Sequence, residues 1–207
     1  MYYKVCNIAS IDNHPLLTEK VTFNPDTAHN SLHLSEDLTS VTCGQVGTGQ
    51  STDKRFGKVQ CVLGKTGYRS GRHYWEVDLG NNTQWSVGVA QDPENRGSDI
   101  SVGPDNGYWS IRLEDGTLRT VEEPPAVLPS ELTPATLGVF LDMEKRGVAF
   151  FNVERRWHIH SFSFSERSTK ELFPFFGPLT GCKEELRMTP LKLRVNNEIL
   201  LGRQSEG

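Results

Sequence analysis

The sequence predicts an all-β fold, an antiparallel sandwich built from many short strands. Apolar and polar residues alternate in run after run, with the two-residue period of a half-buried strand. The 207 residues include 19 Gly and 11 Pro, a turn-rich composition that suits short strands and does not suit long helices. Sandwiches of this length commonly form a single domain, so we predict one domain with one substantial core.

The first pair of predicted strands covers residues 74–79 and 84–89. Trp75, Val77 and Leu79 share one face of the first run, and Trp85 begins the same pattern in the second. Turn-forming residues separate the two runs, so the sequence predicts that they form a β-hairpin.

A second hairpin is predicted at residues 108–121. Trp109 lies on the inward face of the run 108–113, and the Asp115-Gly116 pair is a strong turn signal before the run 118–121. This register brings Arg112 and Arg119 close to one another on the outward face.

The remaining chain alternates short strands with polar or proline-rich connections. Residues 91–106 form a long polar loop, of the kind that in compact domains usually carries function. Residues 122–135 contain four prolines and are predicted to be extended. Further strands are predicted at 31–34, 40–43, 58–63, 136–142, 148–153, 157–164 and 191–195.

Charge and composition exclude several classes of function. The formal net charge of −4 argues against nucleic-acid binding through phosphate neutralisation. No apolar stretch is long enough to enter a membrane, so we expect a soluble chain. The four cysteines, Cys6, Cys43, Cys61 and Cys182, lack C-x-x-C spacing, which predicts reduced thiols and no zinc. No secretory signal is visible, so we expect a cytoplasmic location and an unused glycosylation sequon at Asn81.

No catalytic, metal or cofactor site emerges from the sequence. The string at residues 44–51 resembles a P-loop, but Gln50 replaces the phosphate-binding lysine and no helical period follows. Serine-hydrolase and cysteine-nucleophile signatures are absent. His158 and His160 are predicted to share a strand face, yet no third ligand with suitable spacing completes a zinc site. We therefore predict neither catalytic residues nor cofactors.

Three strings, in order along the chain, resemble the PRY-SPRY family. The string Phe23-Asn24-Pro25-Asp26 resembles the Leu-Asp-Pro string that opens PRY, and Trp75-Glu76-Val77-Asp78 and Leu141-Asp142-Met143-Glu144 resemble the two SPRY signatures. The resemblance covers roughly residues 21–195. Phe23-Asn24 and Met143 depart from the common family residues, and these conservative changes affect only local packing.

The resemblance implies a fold and a domain organisation. Family members form a bent antiparallel β-sandwich with a concanavalin-like jelly-roll topology. Mapped onto this chain, residues 1–20 form a short lead-in and residues 21–200 a single domain, with PRY at about 21–63 and SPRY at about 70–200. The acidic residues of the two signatures are expected to have structural roles, accepting backbone or arginine hydrogen bonds.

The resemblance also implies function. Members are non-catalytic modules that bind protein targets through loops, often as the substrate-recognition domain of tripartite-motif ubiquitin ligases active in innate immunity. An alternative is a butyrophilin-type intracellular sensor of a small phosphorylated ligand, and a weaker option is a glycan-binding sandwich. Upstream regions of the parent protein could make it oligomeric.

Candidate binding residues follow from these expectations. Positions 112 and 114 carry aromatic anchors in some relatives, whereas here they are charged, which points to an acidic or mixed peptide ligand. A tryptophan flanked by arginines at a loop end is also typical of binding hot spots. The predicted surface combines residues 44–57, 91–106, 112–119, 154–158 and 178–187. The predicted ligand-binding residues are Asp92, Arg96, Arg112, Glu114, Arg119, Arg155, Trp157 and His158.

Overall fold

The structure, a computed structural model, describes residues 17–44, 54–92, 96, 101–165, 171–179, 184–189, 193–195 and 198–200. These residues form no α-helix, only strands and two short 3-10 helices at Pro104–Asn106 and Ser130–Leu132, which confirms the all-β prediction. The strands are β1 (Leu17–Thr18), β2 (Leu32–Leu34), β3 (Ser40–Cys43), β4 (Val62–Leu63), β5 (Arg72–Asp78), β6 (Trp85–Gln91), β7 (Tyr108–Glu114), β8 (Thr117–Thr120), β9 (Thr136–Asp142), β10 (Gly147–Asn152), β11 (Trp157–Ser163), β12 (Leu172–Pro178), β13 (Leu186–Met188), β14 (Leu193–Val195) and β15 (Glu198–Leu200).

Two antiparallel sheets form the sandwich. The larger sheet has the strand order β11-β10-β9-β5-β13-β3-β2, and the short strand β1 adds to β5 in parallel. The smaller sheet has the order β4-β12-β6-β7-β8. Residues 21–63 therefore contribute strands to both sheets. β14 and β15 pair with each other in a separate two-stranded sheet.

The hairpin predicted for residues 74–89 is wrong. β5 pairs with β9 and β13 in the larger sheet, whereas β6 pairs with β7 and β12 in the smaller one. The connection between them crosses from one sheet to the other, and both strands direct their apolar side chains into the space between the sheets. Alternation identified both strands, but it does not distinguish side-by-side pairing from face-to-face packing.

The main core lies between the two sheets. Trp75 and Trp85 are fully buried and Trp109 nearly so, as predicted for inward positions. They belong to one continuous apolar cluster drawn from both sheets. Aromatic rings fill this space in edge-on and stacked arrangements, such as Phe23 against Phe176 with centroids 4.8 Å apart.

A buried ion pair connects the two SPRY signature regions. Arg72 at the start of β5 places Nε 3.0 Å from Oδ2 of Asp142 at the end of β9, and both side chains are only 6% exposed. The other oxygen of Asp142 accepts the backbone N–H groups of Glu144 and Lys145 at 3.0 and 2.8 Å. Asp142 therefore has the predicted structural role: its carboxylate fixes the turn that follows β9.

The prediction of reduced cysteines is only partly correct. Cys61 is a buried free thiol, and burial raises its pKa well above the usual value. Cys43, in contrast, is disulfide-bonded, which contradicts the prediction. Spacing along the sequence could not reveal this bond, because the partners of a disulfide are brought together by the fold.

No helix in the part of the chain that the structure describes is long and apolar enough to span a membrane.

Candidate functional site

The outward face of the smaller sheet carries a row of neighbouring residues that crosses four of its strands and ends beside β8. Strand register places Gly177 next to Ser86, Ser86 next to Arg112, and Arg112 next to Arg119. An isolated bridge then places Val127 next to Arg119. Directly opposed residues of an antiparallel pair point to the same face, so this row forms a continuous surface. We call these five residues the basic row.

Arg112 and Arg119 lie next to each other, as the sequence predicts. They are direct cross-strand partners in the β7–β8 hairpin, and like charges in this position repel each other. Arg112 is 33% exposed and lies 3.3 Å from Oε2 of Glu114, which offsets part of its charge. Within the described residues, Nε of Arg119 is buried and has no hydrogen-bond partner. A buried donor of this kind is costly unless a ligand supplies an acceptor.

Small residues form the floor beside the arginines. Ser86 and Ser110 are buried, and their hydroxyl oxygens lie 3.3 Å apart. Gly88 and Gly177 flank them in adjacent strands. Ser110 alternates with the inward-facing Trp109 along β7, and the pairing of β6 with β7 brings Ser86 and Ser110 together beside Arg112.

Val127 ends the basic row at its exposed edge. It is the large apolar residue with substantial exposure in the described part of the chain, with 68% of its surface accessible. Sequence reasoning missed it because the proline-rich stretch gave no strand signal. In the structure residues 126–128 continue the sheet: Thr120 N–H donates to Ala126 and Leu128 N–H donates to Leu118.

Asp92 and Arg96 lie over a different part of the same sheet. Arg96 forms an ion pair with Asp92 and donates from Nη1 to the carbonyl of Lys54 at 2.9 Å. Its own carbonyl accepts the N–H of Gly57. With its side chain only 15% exposed, Arg96 mainly fastens the segment 54–57 to the start of the 91–106 loop.

A second, smaller apolar cluster lies beneath this contact on the outward side of the sheet. It consists of Phe56, Cys61, Leu63, Ala90, Tyr108 and Phe175. Burial raises the pKa of Tyr108, and its hydroxyl finds no hydrogen-bond partner among the described residues. The cluster packs residues 56–63 onto the outward face of the smaller sheet.

Arg155, Trp157 and His158 belong to the other sheet. The guanidinium of Arg155 lies 5.0 Å from the centre of the Trp157 ring, a cation–π contact, and Trp157 packs against the main core. His158 pairs with Ser161, its Nε2 lying 2.7 Å from Oγ. The structure thus divides the eight predicted ligand-binding residues among three places, and Arg112, Glu114 and Arg119 form one of them.

The prediction that His158 and His160 share a strand face is wrong. The register between β10 and β11 shifts at a β-bulge, so His160 pairs with Phe150 whereas His158 pairs with the next residue, Phe151. Adjacent residues of β10 point to opposite faces, and the two histidines therefore diverge. The described residues contain no group of three or more side chains able to hold a metal ion.

These two histidines predict how stability depends on pH. Burial lowers the pKa of both His158 and His160 below their usual value of about 6.5. The unfolded chain therefore binds protons more readily, so the stability that the neutral rings provide is present above about pH 6.5 and is lost as the pH falls.

We expect the urea midpoint to fall between about pH 7 and about pH 5. The double variant H158Q/H160Q should show a flatter dependence over the same interval, because its side chains do not titrate. Denaturation monitored by tryptophan fluorescence measures both profiles. Identical slopes for the two proteins would show that these histidines do not control the acid response.

The comparisons with known proteins agree with this architecture. The SPRY-associated domain PRY matches residues 21–68, and the SPRY domain matches residues 72–190. SPRY domains are in general non-catalytic binding modules that recognise proteins. Among solved structures, the TRIM65 PSpry domain superimposes with a TM-score of 0.70 at 22% identity, covering 84% of this chain and 92% of that one.

Curated relatives come from several kinds of protein. Nuclear factor 7, ovary, from Xenopus laevis is 39% identical over 79% of this chain, human E3 ubiquitin-protein ligase TRIM38 is 37% identical over 84%, and human butyrophilin subfamily 2 member A2 is 37% identical over 75%. The chain spans only 27%, 39% and 30% of their respective lengths. Because the two family domains together match most of the chain, in the order of the predicted motifs, the chain belongs to the PRY-SPRY family.

Proposed function

We propose that this domain recognises a protein target through the basic row, as the substrate-recognition domain of a tripartite-motif ubiquitin ligase. The observation that carries the proposal is the pairing of Arg112 with Arg119, in which a buried Nε lacks an acceptor. An aspartate or glutamate side chain of the target would supply that acceptor and offset the repulsion between the two arginines.

The residues around the two arginines indicate which kind of peptide segment this surface would bind. The small floor residues Ser86 and Gly177 leave room for a side chain beside the arginines, and Val127 offers an apolar contact at the edge. A peptide segment with an acidic residue close to an apolar one fits this arrangement. Glu114 disfavours a second acidic residue near the β7–β8 turn.

The family relationship supports the cellular role that we propose for the parent protein. The parent protein would act in the cytoplasm in innate immunity, and its ubiquitin-transfer activity would reside outside these residues. The human relative TRIM38 is an E3 ubiquitin-protein ligase, which makes this class the preferred one.

Proximity labelling with the full-length parent protein tests the proposal. We expect R112A/R119A to lose the proteins captured by the wild type. The matched control is R69A, since Arg69 is another arginine with a carboxylate partner, Glu171, far from the basic row and with its side chain 72% exposed. Capture of the same set of proteins by wild type and R112A/R119A would refute the assignment of this surface.

A small phosphorylated ligand is the second candidate, and the butyrophilin relative favours it. Two neighbouring arginines, one with an unused donor, suit a phosphate as well as a carboxylate. Calorimetry with inorganic pyrophosphate distinguishes the two functions. Heat that disappears in R119A supports a sensor, whereas no heat in the wild type leaves protein recognition as the better account.

A further inference from the structure

Residues 126–128 form an exposed outer edge of the smaller sheet, beyond β8. Two backbone hydrogen bonds of 2.8 and 2.9 Å join them to β8, one on each side of Val127. Between these bonds Val127 lies opposite Arg119 in an isolated antiparallel bridge. Residues 123–127 are all exposed, and no described strand pairs with the other side of this segment. The sheet therefore ends here with an open edge.

The backbone groups of Val127 point away from β8. In an antiparallel pair, residues alternate between those whose N–H and C=O groups bond to the neighbouring strand and those whose groups face the other way. Residues 126 and 128 make the bonds to β8, so Val127 is of the second kind. Its N–H and C=O form no hydrogen bond with another described residue, and its side chain is the exposed apolar one at this edge. Val127 thus presents a donor, an acceptor and apolar surface to an incoming strand.

Two prolines restrict this pairing to a single residue. Pro125 and Pro129 are the next positions whose backbone groups would face the same outer side, and proline has no N–H to donate. An added strand can therefore use both a donor and an acceptor only at Val127. The edge is too short for indiscriminate strand pairing, but it fixes the register of a strand that does pair there.

Thr120 holds this edge in position. Its Oγ1 accepts the N–H of Ala126 at 2.8 Å and donates to Oε1 of Glu122 at 2.8 Å. Thr120 is only 1% exposed, so these bonds are shielded from water. The backbone of Val127 is therefore oriented before a partner arrives, which lowers the conformational entropy that binding must remove.

The charge next to Val127 indicates which kind of strand fits. Directly opposed residues of neighbouring strands point to one face, so a residue opposite Val127 would continue the basic row. It would lie about 10 Å from the backbone of Arg119, which is two strand spacings. A glutamate at this place can pack its methylene groups on Val127 and extend its carboxylate toward Nε of Arg119, a buried donor without a partner among the described residues.

We propose that the target adds an extended segment to this edge as a further strand, with a glutamate opposite Val127. The inference rests on the proposed function and specifies how the target binds. Main-chain hydrogen bonds to Val127 set the register, as in other cases where a peptide extends a sheet, and the arginines select the acidic side chain.

Nuclear magnetic resonance of the 207-residue chain, titrated with the acetylated and amidated heptapeptide TVTETVT, tests the pairing in the wild type. At saturation we expect hydrogen exchange of the Val127 amide to slow by about tenfold or more, with no change at the β10–β11 turn. The neutral peptide TVTQTVT should bind about tenfold more weakly, because it lacks the charge that strengthens the bond to Arg119. Exchange at Val127 that stays unchanged at millimolar TVTETVT would overturn the proposal.

Two substitutions at one position separate the backbone from the side chain. V127P removes the N–H and keeps an apolar side chain, whereas V127A keeps the N–H and removes most of the apolar surface. We expect V127P to bind TVTETVT about fivefold or more weakly than V127A does. Protection of the Leu128 amide, which donates to Leu118, verifies that the segment is still docked on β8 in V127P. Equal affinities of the two variants would contradict main-chain pairing.

The results also distinguish this inference from the proposed function. If R112A/R119A loses the captured proteins but TVTETVT leaves the Val127 amide unprotected, the recognition surface stands and the added strand is rejected. If the peptide protects Val127 but R112A/R119A captures the same proteins as the wild type, the pairing at Val127 stands and the arginines are rejected as the recognition surface.

Discussion

The variant R72M is expected to unfold at markedly lower denaturant concentration, with a loss of about 3–5 kcal/mol in the free energy of unfolding. The substitution leaves the carboxylate of Asp142 buried without its cationic partner. Two backbone N–H groups still bind that carboxylate, but they do not neutralise its charge. Urea titration monitored by tryptophan fluorescence measures the change.

The matched control for R72M is R69M, three residues earlier. Arg69 also pairs with a carboxylate, that of Glu171 at 3.1 Å, but its side chain is 72% exposed. Solvent screens such a pair, so its loss should cost less than about 1 kcal/mol. Equal effects of the two substitutions would show that the ion pair between the signature regions contributes no more than an ordinary surface pair.

The variant G88A is expected to be destabilised by about 1–3 kcal/mol, at the upper end of that range. A Cβ atom at position 88 would lie 2.1 Å from the carbonyl oxygen of Trp109 and 2.6 Å from Cα of Ser110. Both are backbone atoms of β7, so β6 and β7 must separate to make room. A displacement of β7 would also move Arg112. Thermal unfolding measures the loss of stability.

Gly103 provides the control for G88A. Nothing lies within 4 Å of a Cβ atom built at that position, and its backbone is extended at φ 172°. G103A should therefore be close to neutral. If G88A is as stable as G103A, the close approach of β6 to β7 does not restrict position 88. That result would contradict the compact packing of small residues beside the arginines.

Much of the fold could be predicted from the sequence because it depends on local alternation. β3 and β9 begin and end where the pattern predicts, and the Asp115-Gly116 turn joins β7 to β8 as expected. The register of that hairpin follows from a two-residue turn, which explains why the approach of Arg112 and Arg119 was predictable.

The errors have a common physical origin in long-range pairing. Alternation identifies the inward face of a strand but not the sheet to which the strand belongs. The pattern therefore predicts a hairpin of β5 and β6, whereas the two strands lie in different sheets and face each other across the core. The bulge in β11 depends on pairing with β10, and it separates His158 from His160.

The candidate site could be predicted only in part, because some of its residues are neighbours in one hairpin and others are brought together by long-range pairing. Arg112, Glu114 and Arg119 occupy one hairpin, and local rules place them together. Val127 joins them through a bridge to Arg119 that no pattern in the proline-rich segment indicates. Arg155 and Trp157 have the composition of a hot spot, but the structure places them on the other sheet.

The central claim is that the outward face of the smaller sheet, around Arg112 and Arg119, is the recognition surface. Amide hydrogen exchange of the domain, alone and bound to a protein captured by the wild-type parent, tests it most directly. We predict protection at residues 114–117, which border the basic row, and at residues 126–128, which include its member Val127, with unchanged exchange at the β10–β11 turn. Protection at the β10–β11 turn, with residues 114–117 and 126–128 unaffected, would contradict the claim.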